Sequence, residues 1–309
     1  MIGKSGFRWI LLASLLLFFT AFSSAQPLYS SDQNNLSQRI RVAPESVFNM
    51  FREAGMKPVN RTLTPAQKEK VSQAFALLPP LHQRILQQHL HSISFMDNMP
   101  NTALTSPVDS AGVPKQFNIT FRAGLLDETI SEWATWKENT CFKPVDKAGY
   151  QVRVEGGNLD AIIYVLLHEA THVVDAVREV TPNFADKNSA VKPTPFTKGI
   201  WRLANVPEDR YIDSLLEKTR FRSGQPMAIS LAPEVYQKLS KTPFPSLYGM
   251  AAWSEDLAEL ETIYHLTNRL NQPFYVVVTK DGVELARFEP MRNALVQRRL
   301  NQLAFFYTT

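Results

Sequence analysis

A single cysteine, Cys141, in 309 residues excludes an intramolecular disulfide, so the core of this chain is stabilised without covalent cross-links. A lone thiol of this kind reads as a buried apolar residue rather than a nucleophile. Glycine is scarce beside proline, twelve against twenty, which excludes collagen-like and glycine-linker compositions and favours short, punctuated elements. Internal repeats and low-complexity tracts are absent. So are basic helices and basic patches interleaved with aromatics, so nucleic acid is not an expected partner.

There is one long apolar run, the fourteen residues Trp9 to Phe22, which is short for a bilayer span. It follows Lys4 and Arg8 and leads into Ser23-Ser24-Ala25, the pattern of a signal peptide over residues 1–25 cleaved before Gln26. The mature chain is therefore expected to be exported, periplasmic or secreted, with no stable membrane span. Losing Lys4 and Arg8 lowers the formal charge from +4 to +2, too little to imply an acidic partner.

Residues 26–115 read as an N-terminal helical region. One helix is expected over 44–54. Another begins at Thr64-Pro65, breaks at Pro79-Pro80 and resumes from Leu81 to Phe95. His82, His89 and His91 lie there. His82 and His89 share a face, but two turns separate them by about 10 Å, too far to share one ion. Residues 98–115 have a loop composition. Alternating apolar residues predict strands at 116–122 and 150–154, and a short helix is expected at 130–136.

A strong helix is expected from Asn158 to Val177, a short one near Asp209 to Lys218, and a clear one over 254–270 with Ser254 as cap. Asp281-Gly282 between two apolar runs, 274–278 and 283–288, predicts a hairpin. A final amphipathic helix is expected over 290–305. Helices and strands do not alternate regularly, which makes the class α+β.

The chemistry concentrates in Leu166-Leu167-His168-Glu169-Ala170-Thr171-His172-Val173-Val174. Residues four apart on a helix stand one above the other, so His168 and His172 can share a metal ion. Glu169 lies about 100° round the helix, at the rim of that face, where it can take a proton from water without being a ligand. The surrounding residues are apolar, and two histidines and a glutamate in a buried helix are costly unless paired or metal-bound. Asp175, three residues beyond His172, could orient that imidazole. A third histidine at position 178 would be the metzincin arrangement, but that residue is Arg178.

Farther on, Ser254-Glu255-Asp256-Leu257-Ala258-Glu259 opens the second strong helix. Glu255 and Glu259 face one way, so one can ligate while the other holds a histidine; the same acids also suit the positive end of the helix dipole.

The pattern His168-Glu169-x-x-His172 followed 83 residues later by Glu255-Asp256-x-x-Glu259 resembles the gluzincin class of zinc metallopeptidases. The resemblance covers about residues 116–272. It implies a zincin-like, helix-rich fold with a small mixed sheet beside the first helix, and one Zn2+ per chain on His168, His172 and Glu255. Glu169 would be the general base and Glu259 would orient a histidine. Strands 116–122 and 150–154 would form the edge of the substrate-binding sheet. The class also implies an oxyanion stabiliser, for which Tyr248 and His265 are candidates, and Tyr164 lies one turn before His168.

The expected domain plan is thus a catalytic core over 116–272 and a C-terminal hairpin and helix over 273–309. The expected function is hydrolysis of a peptide or protein substrate. The alternative is a non-catalytic zincin-like envelope or binding protein, with or without bound metal.

Overall fold

The computed structural model describes residues 36–108, 116–143, 149–182 and 192–308. The expected signal peptide and its cleavage point lie outside the described residues.

Local sequence signals place most of the helices. After α1 (Glu45–Glu53) and the short strand β1 (Val59–Asn60), Thr64 caps α2 (Pro65–Ala76) in a reciprocal capping box with Gln67. Pro80 starts α3 (Pro80–His89). The helix expected to continue to Phe95 stops there, and β2 (Leu90–Asp97) follows at once. Next come β3 (Ala103–Pro107), in the stretch read as loop, and β4 (Phe117–Arg122).

Thr129 and Glu132 form a second capping box at the start of α4 (Ile130–Asn139). The strand β5 (Tyr150–Glu155) leads to α5 (Ala161–Arg178). The region near 209–218 holds two 3-10 turns, Asp209–Tyr211 and Leu216–Lys218, in place of one helix. After them come α6 (Ala232–Leu239), α7 (Trp253–Asn268), β6 (Tyr275–Lys280) and β7 (Val283–Phe288). Ser254 is not the cap of α7: the N-cap positions of α5 and α7 are Asp160 and Ala252, and neither makes a side-chain capping hydrogen bond.

The first sheet has the order β1-β2-β4-β3, with β2 parallel to β4 and the outer pairs antiparallel. Parallel pairing explains why residues 90–95 are not helical. Ser92 donates to Asn118 Oδ1 at 2.6 Å and Ser94 bonds Thr120 Oγ1 at 2.9 Å, so hydroxyls buried between strands are satisfied across the sheet. Segment 116–122 is therefore an inner strand, and the edge strand is β3. Segment 150–154 belongs to a separate antiparallel sheet, β7-β6-β5, whose hairpin turns at Asp281-Gly282 as expected.

The final helix expected over 290–305 is broken into turns. Asn293 accepts from Leu295 N–H while its amide donates to Ser240 and Thr242 carbonyls, so a side chain competes with the helix for hydrogen bonds. Farther on, Arg299 turns inward and grips Asp256 with two bonds, 2.9 and 2.7 Å.

These elements make an α+β fold whose described residues belong to one compact unit. The β2–β4 pairing joins residues on either side of position 115, and β5–β6 joins residues on either side of position 272. At the centre lies α5, apolar on most of its circumference, packed against α2, α3, α4, α7 and β3. Among the described residues no helix is long and apolar enough to cross a membrane.

Candidate metal centre

Helix periodicity stacks His168 and His172 on successive turns of α5, with their Nε2 atoms 3.2 Å apart. Glu255, in the first turn of α7, places Oε2 3.1 Å from His168 Nε2 and 3.4 Å from His172 Nε2. Ligands held tetrahedrally at about 2.0–2.1 Å from one ion stand about 3.3–3.4 Å apart. The triangle of donors has that size. Two imidazoles and a carboxylate also suit a borderline divalent ion and leave a fourth position for water. Among the described residues, no other group of three His, Cys, Asp or Glu side chains converges closely enough to hold an ion.

The site attracts positive charge. Burial opposes protonation of His168, yet hydrogen bonds and charge from Glu255 and Glu259 lift its pKa to about 9. His172 is raised as well, with burial opposing and Glu255 prevailing. Burial works against ionisation of Glu255, but the two imidazoles hold it well below the usual carboxylate range. What favours a proton here favours a metal cation on the same atoms.

Glu259 stands behind His168. Its Oε1 is 3.2 Å from His168 Nδ1, at ion-pair distance but off the line of a well-aligned hydrogen bond. Lys137 from α4 reaches Oε1 at 3.0 Å, as does the Tyr164 hydroxyl, and Ser246 donates to Oε2 at 2.6 Å. Burial opposes ionisation, but Lys137 and the other donors keep the Glu259 pKa at about 2. Tyr164 thus meets the site from behind, through Glu259, and burial raises its pKa.

Glu169 points toward β3, where Thr105 donates to its Oε2 at 2.6 Å. The cleft there, about 380 Å³, is lined by Thr105, Glu169, His172, Tyr248 and Glu255 among others. Tyr248 stacks on His168 with ring centroids 5.7 Å apart, and Lys137 Nζ lies 4.1 Å from the Tyr248 ring centroid. Burial and the carboxylates of Glu255, Glu169 and Glu259 raise the Tyr248 pKa, so its phenol keeps its proton.

Other singled-out residues fall elsewhere. Asp175 accepts from the backbone N–H and hydroxyl of Thr181, fastening the chain that leaves α5, while its charge still acts on His172. His265 is remote from the donors, bonded to the Leu77 carbonyl and the Tyr307 hydroxyl. His82 is fully buried, bonded to Thr171 and stacked on Phe306. Cys141 is buried, and burial raises its thiol pKa.

Sequence reasoning passed over Thr105, Lys137 and Ser246. Thr105 carries no local signal. Lys137 did: it follows Trp133 by four on α4, a cation on the buried face of a helix. Comparison with protein-family models, with curated proteins and with solved structures finds no match to this chain.

Proposed function

We propose that this chain is an exported zinc metallohydrolase of the gluzincin type, with a zincin-like fold, that cleaves peptide bonds. The observation that carries the reading is the convergence of His168, His172 and Glu255 on one point, with donor separations of 3.1 to 3.4 Å. Glu169 beside that point and Glu259 behind His168 add the base and the orienting carboxylate that such hydrolysis uses. The N-terminal segment supports export.

His168, His172 and Glu255 would hold the zinc, which when bound would supply Lewis acidity toward a water molecule and a substrate carbonyl. The chain's own groups do the rest. Glu169 accepts the proton of the attacking water and returns it to the leaving amine. Tyr248, held protonated, donates to the oxygen that gains charge. The Glu259 carboxylate, at ion-pair distance from Nδ1, favours the His168 tautomer that carries its proton there and leaves Nε2 free to ligate. Edge strand β3 offers backbone groups to an extended substrate.

The test is zinc content together with turnover on a peptide library. One zinc per chain is expected, lost in His168→Ala and Glu255→Ala. Glu169→Gln should keep the ion and lose turnover by about 100-fold or more. An unchanged rate in Glu169→Gln, or no bound zinc when the ion is supplied at neutral pH, overturns the proposal. Bound zinc without cleavage would leave the binding-protein reading.

A further inference from the structure

The cleft has two arms that meet at Glu169 and Tyr248, and their chemistry is opposite. One arm, about 380 Å³, runs past His172 to the end of α5; Asp175 and Glu179 line it, with no lysine or arginine among the described lining residues. The other, about 340 Å³, is walled by Trp133, Trp136 and Phe221 and carries Lys137 and Arg220, with Glu169 as the one acidic residue among its described lining residues.

Among the described residues, the charges free to meet a ligand in the two arms are few. Lys137 is committed to Glu259 at 3.0 Å. Arg220 is exposed; its guanidinium donates to the Thr140 carbonyl at 3.1 Å, and no described carboxylate pairs with it. In the opposite arm Asp175 is occupied by Thr181, which leaves Glu179. Glu179 is exposed and has no side-chain partner among the described residues. Its backbone is held at φ 51° by an N–H bond of 2.7 Å to the Asp175 carbonyl. That left-handed residue is the C-cap of α5, a common way for a helix to end. Trp136 lines the aromatic arm and is 50% exposed, with the Arg122 guanidinium 5.0 Å from its ring centroid.

We infer that the groove, on the peptidase reading above, takes an extended peptide whose charge changes sign across the cleaved bond. The Trp133–Trp136–Phe221 arm holds a large apolar or aromatic side chain with a neighbouring carboxylate on Arg220. The arm at the end of α5 holds a basic side chain against Glu179. Charge complementarity of this kind sets register and rejects the reversed peptide more than it adds raw affinity.

The experiment uses zinc-loaded Glu169→Gln protein, so that binding is read without turnover. Two fluorescein-labelled peptides of identical composition are compared by anisotropy, each with an aromatic–acidic half and a basic half, in opposite order along the chain. One order should bind about tenfold tighter or better. The Glu179→Lys, Arg220→Glu double variant, changed only at exposed positions, should invert the preference. Equal binding of the two peptides, binding of neither, or an unchanged order in the double variant overturns the inference. Wild-type turnover separates the two proposals. Charge-ranked binding without cleavage removes the peptidase reading and leaves a charge-reading peptide groove. Cleavage without charge ranking does the reverse.

Discussion

The hydroxyl of Thr105 lies 2.6 Å from Glu169 Oε2, so an edge strand of one sheet holds the carboxylate that projects from the central helix. The bond leaves the acid aimed along β3, where a substrate backbone would lie. Thr105→Val keeps the shape and deletes the donor. Zinc content should stay at the wild-type level while kcat falls about tenfold, a fraction of what a positioned base contributes. An unaltered kcat in this variant would mean that Thr105 does not position the acid.

Glu259 offers a second probe, because it touches His168 only from behind. Replacement by Gln removes the charge that orients the ring, and zinc retention should weaken by about 10- to 100-fold in competition with a chromophoric chelator. Glu259→Gln also strands Lys137, so Glu259→Gln, Lys137→Met is measured alongside. Wild-type retention in both would remove the orienting role.

The buried pair Asp256–Arg299 ties the C-terminal segment to the first turn of α7, next to Glu255. Trp201 Nε1 donates to the same carboxylate at 2.8 Å, and the guanidinium lies 4.7 Å from the Phe196 ring centroid. Breaking one side leaves an uncompensated buried charge, so Arg299→Met should cost about 3–5 kcal/mol in urea unfolding. Arg299→Met with Asp256→Leu should recover much of that loss, since apolar replacement of a buried pair is often neutral.

Acid should destabilise the fold through two histidines away from the cleft. Burial, with His265 adding, lowers His82 to about 3; burial also lowers His265 to about 4. Both folded values lie below the unfolded value, so the unfolded chain takes up protons first as pH falls. Their stability is fully present above about pH 6.5. It declines by about 1.4 kcal/mol per pH unit for each histidine until the folded value is reached. His82→Gln should flatten the fall in urea midpoint between pH 6.5 and 4; an identical slope would refute the assignment.

Metal should stabilise the fold by mass action. Chelation is expected to lower Tm, and restoring zinc to raise it, because a ligand that binds only the folded state adds RT ln(1 + [L]/Kd). Glu255→Ala should abolish the difference. A Tm insensitive to chelator in the wild-type chain would count against the metal site.

What could be read in the residues was local. His168, Glu169 and His172 fall within one turn or so of helix, and period 3.6 alone puts the two rings on one face. Thr64 with Gln67, and Asp281-Gly282, act over a few residues, so the α2 start and the β6–β7 turn were legible for the same reason. The face shared by Glu255 and Glu259 was equally local, whereas its meeting with α5 was not.

The rest was decided by contacts between distant parts of the chain. Residues 90–97 are a strand because β4 supplies partners for Ser92 and Ser94, a parallel pairing that no nearby residue encodes. Segment 103–107 becomes the edge strand over Glu169 only once β4 is in place. Lys137 reaches Glu259 across 122 residues of sequence. Arg299 leaves a helical pattern because Asp256 offers a buried carboxylate. Sequence by itself determined which side chains could share a helix face, since that depends on the backbone period alone. Tertiary structure decided which faces meet, because burial of apolar surface and pairing of buried polar groups are settled over the whole chain at once.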